Sequence, residues 1–119
     1  MAKILIVEDS AFQRTIIKRI VSNAGHEVME ADSGREALRL IEAKQPDLVF
    51  LDLLMPDING FQVLKVLKSK HSTVPVVVVT ADVQETTRQR CEEDGVRQIV
   101  YKPVDENKIS SVLKSVLGS

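Results

Sequence analysis

The chain has 119 residues, 44% hydrophobic and 28% charged, with a formal net charge of −1. That length fits one domain, with a core large enough to need no disulfide or metal staple. The near-zero charge provides no basic field to neutralise phosphates in bulk, which argues against general nucleic-acid or anionic-membrane binding, and the apolar runs are too short to cross a bilayer. The single cysteine, Cys91, excludes an internal disulfide and fits a reducing, cytosolic compartment; no histidine stands near it in sequence to make it a nucleophile.

Lys3 to Val7 is a branched apolar run, read as a first strand, and it closes on two carboxylates, Glu8 and Asp9. Ser10 caps a helix whose buried stripe is expected to hold Phe12, Ile16, Ile17, Ile20, Val21 and Ala24, with Gly25 as its left-handed stop. His26 to Ala31 alternates in part and reads as a short strand near a sheet edge. Ser33 and Glu36 match a capping box for a second helix, with Ala37, Leu38 and Ile41 inward and Pro46 as its stop.

Leu48 to Leu51 is a strand buried on both faces that ends abruptly on Asp52. Turn residues follow, Met55-Pro56-Asp57-Ile58-Asn59-Gly60, in which Asn and Gly tolerate positive φ. A third helix starts near Phe61, with Leu64 and Leu67 on the same face. A fourth strand, Val76 to Val79, ends on Thr80-Ala81-Asp82. The helix expected from Val83 to Asp94, with Asp82 and Glu85 as a capping pair, has only Val83 and Cys91 apolar, so its anchoring to the core should be weak. Gly95 ends it. Gln98 to Tyr101 is a fifth strand closing on Lys102-Pro103, and Asp105 caps a last helix with Ile109, Val112, Leu113 and Val116 inward. His26 and His71 stand in polar surroundings and read as surface residues. Asp57, Asp82 and Asp105 read as caps or loop formers.

Strands alternating with helices give an α/β fold, a parallel sheet covered on both faces through right-handed crossovers. In such a sheet the carboxyl ends of all strands lie along one edge, so Glu8, Asp9, Asp52, Thr80 and Lys102 converge on one crevice. Three carboxylates in one place repel one another and invite a cation. Oxygen donors without His or Cys favour Mg²⁺, with Mn²⁺ able to substitute. A carboxylate beside such a cation can act as nucleophile on a phosphoryl group, with Lys102 and Thr80 meeting the phosphoryl oxygens and Ala81 leaving room for the group. The Lys102-Pro103 bond is a candidate cis peptide.

The motifs V-E-D (7–9), L-D-L-L-M-P-D-I-N-G (51–60), V-T-A (79–81) and Y-K-P (101–103) make the chain resemble the receiver domain of two-component response regulators, from Lys3 to about Leu117. The resemblance implies a flavodoxin-like doubly wound (βα)5 sandwich, strand order 2-1-3-4-5, as a single receiver domain over residues 1–119 of the stand-alone, chemotaxis-regulator type. It implies that Asp52 takes a phosphoryl group from a sensor histidine kinase or a histidine phosphotransfer protein. Glu8, Asp9, Asp52 and the backbone carbonyl of Leu54 would hold Mg²⁺, and Thr80, Ala81, Lys102 and Pro103 would form the phosphate pocket. Thr80 and Tyr101 would be the switch pair. The output surface would be the face of helix four, strand five and helix five, docking a downstream protein from a cytoplasmic monomer or a weak phosphorylation-dependent dimer, with no direct contact to nucleic acid or membrane. Such a protein is a signalling switch that catalyses only its own phosphorylation and dephosphorylation.

Three positions depart from the common pattern, the first being Glu8, where many members have Asp; its longer side chain still supplies oxygens for a metal. Leu54 cannot hydrogen-bond a hydrolytic water, and Asp82 could either orient that water or repel the phosphate, so the lifetime of the phosphorylated state stays open. Three other functions compete. A phosphatase of the haloacid dehalogenase type would need an acid/base Asp where Leu54 stands. A flavin-binding module would want Ser, Thr and Gly where Glu8 and Asp9 stand. A phosphate-independent, flavodoxin-like protein-binding module is the remaining alternative, although every catalytic position is filled.

Overall fold

Among the residues described by the computed structural model, 1–118, five strands and five helices alternate along the chain; Ser119, which the sequence groups with Gly118 as a tail, lies outside them. The strands are β1 (Lys3–Val7), β2 (Glu27–Ala31), β3 (Leu48–Asp52), β4 (Val76–Thr80) and β5 (Gln98–Tyr101). The helices are α1 (Ala11–Asn23), α2 (Gly34–Lys44), α3 (Gly60–Ser69), α4 (Glu85–Glu93) and α5 (Glu106–Leu117). The sheet is wholly parallel, in the order β2-β1-β3-β4-β5. This is the flavodoxin-like arrangement, and it puts Glu8, Asp52, Thr80 and Lys102 at the carboxyl ends of adjacent strands.

The central strands β3 and β4 are buried at every position, because helices cover both of their faces. Leu5, Val7, Val49, Leu51 and Val78 face the core shared with α2 and α3, while Ile4, Ile6, Phe50, Val77 and Val79 face the core shared with α1 and α5. Alternate residues of each strand thus feed two separate cores. The edge strand β2 is only partly buried, as its mixed composition predicts.

The helix ends follow local chemistry with instructive exceptions. Ser10, Ser33 and Asp105 accept hydrogen bonds from the backbone N–H three residues on, as N-caps do. The reciprocal capping box, however, is at α3: Asn59 accepts from the Gln62 N–H and the Gln62 side chain accepts from the Asn59 N–H. At α2 the Glu36 carboxylate pairs with Arg39 instead of reaching back. Asn59 has φ −74°, so the turn before α3 uses no positive φ at that residue. Gly60 is demanded by space: a Cβ there would stand 2.7 Å from the backbone O of Asp52 and the Cα of Leu53.

Three further expectations are corrected. Phe12 is 73% exposed, because the first turn of α1 stands at the crevice end of the sheet, where nothing packs over it; Ala24 is exposed as well. His26 is half-buried, and its Nδ1 accepts the N–H of Ala2 at 3.1 Å. Helix α4 begins two residues later than Val83, at Glu85, with Gln84 as an N-cap that makes no side-chain bond. Asp82 instead accepts the Gln84 N–H within the preceding loop, and Val83 is exposed.

Helix α4 is as weakly packed on the core as its composition predicts, and what holds it is mostly polar. Thr87 and Cys91 are buried on its inner face, the Arg90 guanidinium lies 3.8 Å from the centroid of the Phe61 ring, and Lys68 Nζ donates to the Glu93 carbonyl at 3.1 Å. The attachment is mostly polar and directional, unlike that of α5, which buries Ile109, Val112 and Leu113. No helix among the described residues is long and apolar enough to cross a membrane.

Candidate functional site

Four of the five strands, β1, β3, β4 and β5, each deliver a polar side chain to the crevice at the step where the apolar run stops. Val7 is followed by Glu8, 2% exposed; Leu51 by Asp52, 6% exposed; and Val79 by Thr80, 4% exposed. Burying carboxylates is costly unless they are paired, so the environment of each one is informative. Lys102, delivered by the end of β5, places Nζ 3.0 Å from Glu8 Oε1 and 3.6 Å from Asp52 Oδ2. Asp9, beside Glu8, is exposed at the mouth.

One cation does not satisfy this cluster. Oε2 of Glu8 is buried with no hydrogen-bond partner. Burial, with the Asp52 carboxylate beside it, pushes the Glu8 carboxyl up to about 7 against the opposing pull of Lys102. Burial draws the Lys102 ammonium down, but its hydrogen bond to Glu8 and the charge of Asp52 outweigh that and raise it above the usual lysine range. Glu8, Asp9 and Asp52 each offer a carboxylate oxygen within 4.8 Å of the others. An orphaned buried oxygen, all-oxygen donors and excess negative charge fit a hard divalent cation such as Mg²⁺.

The supporting contacts come from residues far apart in sequence. Arg14 on α1 donates from Nη1 to the Glu8 carbonyl at 2.7 Å and from Nε to Glu30 Oε1 at 3.0 Å, tying the β1–α1 loop to β2. Arg14 is not among the candidate residues that motif and spacing pick out. The available signal was an arginine near a helix N-terminus, where the helix dipole disfavours a cation unless other acceptors hold it. Asp57 accepts the N–H groups of Gly34 and Arg35 at 3.1 and 3.2 Å, so it joins the loop after Asp52 to the start of α2 rather than capping its own helix. Lys108 on α5 donates to the carbonyls of Tyr101 and Pro103, both at 2.9 Å, bracketing the Lys102-Pro103 peptide, which is cis.

The Leu54 N–H donates to Asp52 Oδ1 at 3.3 Å, while the Leu54 side chain is 81% exposed at the rim. Thr80 and Tyr101 are direct neighbours across the β4–β5 ladder. Thr80 Oγ1 accepts the Asp82 N–H at 3.1 Å. Ala81, next to Thr80, is exposed and adds no bulk over the crevice. The structure therefore gathers Glu8, Asp9, Asp52, Thr80 and Lys102 in one place. His26 and His71 lie in loops before β2 and β4, and Cys91 is buried on α4.

Residues 4–114 match the response regulator receiver domain family. The chain belongs to that family. It is 35% identical over 120 residues to the protein PilH of Pseudomonas aeruginosa, covering 99% of each chain. It is 30% identical over 117 residues to the polar-differentiation response regulator DivK of Brucella ovis, covering 97% of this chain and 95% of that one. Among solved structures, the chemotaxis protein CheY4 of Vibrio cholerae superposes with a TM-score of 0.90 at 29% identity, over 98% of both chains. Receiver domains are switches in phosphorelay signalling.

Proposed function

We propose that Asp52 is the phosphoryl acceptor of this receiver domain, and that its Mg²⁺-dependent phosphorylation sets the state of the protein. The observation that carries this is the pairing of a 6%-exposed Asp52 with Lys102 Nζ at 3.6 Å, inside a three-carboxylate cluster whose Glu8 has an unpartnered buried oxygen. Such a cluster is costly to maintain for structure alone and useful for phosphoryl transfer.

Glu8, Asp9, Asp52 and the Leu54 carbonyl would hold Mg²⁺, which when bound neutralises charge on the transferred oxygens. An Asp52 carboxylate oxygen attacks phosphorus, the P–N bond of a donor phosphohistidine breaks, and its electron pair stays with the imidazole nitrogen. Lys102 meets one phosphoryl oxygen as a point charge, and the Thr80 hydroxyl donates to another. Burial of Asp52 excludes competing water from the attacking oxygen. The donor is a sensor histidine kinase or histidine phosphotransfer protein. Added phosphate charge draws Thr80 inward, Tyr101 beside it turns, and the α4–β5–α5 face changes its affinity for a downstream protein. Residues 1–119 work in this reading as one receiver unit, and the resemblance to the chemotaxis protein CheY4 makes chemotaxis the setting we favour.

The test is intact mass after incubation with acetyl phosphate, with and without Mg²⁺, on the wild type and on Asp52→Asn. One phosphoryl group gained only with Mg²⁺ and only by the wild type is expected. An adduct that persists in Asp52→Asn would refute the assignment.

A further inference from the structure

The loop between β4 and α4 contains a hydrogen-bond chain that the acceptor chemistry does not use. Thr80 Oγ1 accepts the Asp82 N–H at 3.1 Å. The Asp82 carboxylate in turn accepts from two groups, the Gln84 N–H on Oδ1 at 2.9 Å and the Thr87 hydroxyl on Oδ2 at 2.6 Å. Thr87 is one of two buried residues on α4, 7% exposed. The Thr87–Asp82 distance lies in the short range of a hydroxyl donating to an ionised carboxylate. Together the Thr87 hydroxyl and the Gln84 N–H hold the Asp82 carboxyl below the usual carboxylate range.

Two consequences follow from this geometry. Both oxygens of Asp82 accept hydrogen bonds from the start of α4, so the carboxylate is drawn toward that helix. The second concerns α4 itself: its N-cap, Gln84, makes no side-chain bond, and the Asp82 carboxylate, held by the Gln84 N–H and the Thr87 hydroxyl, ties the first turn of the helix to the loop before it.

We infer that Asp82 and Thr87 are positioning residues forming a tether that holds the first turn of α4 in the resting state, and that drawing the Thr80 hydroxyl into the crevice releases it. The inference rests on the reading of Asp52 and Thr80 given above. When Thr80 turns toward the phosphoryl oxygens, the Asp82 N–H loses its acceptor and the loop is no longer held at its β4 end. Asp82 then shifts, and its bond to Thr87 breaks. The tether is made of hydrogen bonds rather than apolar packing, so it is either formed or broken, which suits a switch better than graded sliding of a packed helix.

The experiment is amide hydrogen exchange over residues 82–90 of the full chain, as wild type, Thr87→Val and Thr87→Ser, each with and without acetyl phosphate and Mg²⁺, with intact mass scoring the adduct in every sample. Valine keeps the shape and removes the hydroxyl; serine restores the hydroxyl and serves as the rescue. The wild type and Thr87→Ser should exchange slowly at rest and speed up about tenfold on phosphorylation, the order expected for a hydrogen bond to a charged group. Thr87→Val should already be fast at rest, gain the phosphoryl group normally, and show no further change. Equal resting exchange in wild type and Thr87→Val, or an undiminished phosphorylation response in Thr87→Val, would overturn the tether. Failure of the wild type to gain a phosphoryl group would refute the Asp52 reading instead, and the resting comparison would still judge the tether.

Discussion

The interior of the sheet and its carboxyl edge are built from the same strands, one residue apart, and they follow opposite rules. Val7, Leu51 and Val79 are within 2% of complete burial, among other aliphatic side chains, and are satisfied there. Glu8, Asp52 and Thr80, the next residue on each strand, are nearly as buried but carry groups that the site only partly satisfies, down to an orphaned Glu8 oxygen. Burial stabilises the first set, whereas the second is held against its own repulsion by the first. The difference shows how a rigid apolar scaffold can hold a mutually repelling polar cluster at its edge.

Core truncation should give the largest loss. Phe50 is 1% exposed in the core beneath α1 and α5, and Phe50→Ala is expected to cost about 3–5 kcal/mol in denaturant unfolding, whether Mg²⁺ is present or not. An effect confined to Mg²⁺-free protein would break the division between scaffold and site. Gly60→Ala addresses the seam between the two regions. Its Cβ would meet backbone atoms of Asp52 and Leu53 that cannot swing aside, so a loss of about 1–3 kcal/mol is expected, with weaker Mg²⁺ binding because the acceptor strand end is displaced.

The smallest effect should have the opposite sign. Asp52→Asn removes one of three crowded carboxylates, so without Mg²⁺ it should melt at a slightly higher temperature than the wild type, by the equivalent of about 1 kcal/mol or less. Its pH profile sharpens the point. The Glu8 carboxyl stands near 4.5 when unfolded and at about 7 when folded, so between those values the folded chain holds more protons. The stability of Mg²⁺-free wild type should therefore fall as pH rises from 4.5 to about 7 and level off above. In Asp52→Asn that slope should be shallower yet persist, because burial is the larger cause of the shift and remains. Thermal unfolding in EDTA across this range would show it, and an identical slope in both proteins would count against Asp52 as a contributor.

The fold was legible because its signals are local and repeated: four apolar runs and one mixed edge strand, separated by helical stretches, three of which start at a serine or aspartate cap. The site was legible because a parallel sheet brings all its strand ends together, so Glu8, Asp52, Thr80 and Lys102 could be grouped before any distance was known. Errors fell where a residue had a local and a long-range option. Glu36 could reach back to its cap or pair with Arg39, and it pairs with Arg39; Asp82 could cap a helix at Val83, and it bonds to Thr87 within a later-starting helix. Phe12 fits a helical stripe, but helical periodicity carries no information on where the covering sheet ends.

What the sequence determined by itself was therefore the order of elements, the parallel sheet and the identity of the side chains at its carboxyl edge, since each rests on backbone preference and apolar period within a few residues. Tertiary structure decided the rest: the unpartnered oxygen of Glu8, the hold of Arg14 on the β1–α1 loop, the need for glycine at position 60, and the Thr80–Asp82–Thr87 chain. These depend on distances between atoms of different elements, at a scale of tenths of an ångström, and packing sets such distances only once all the strands are in register.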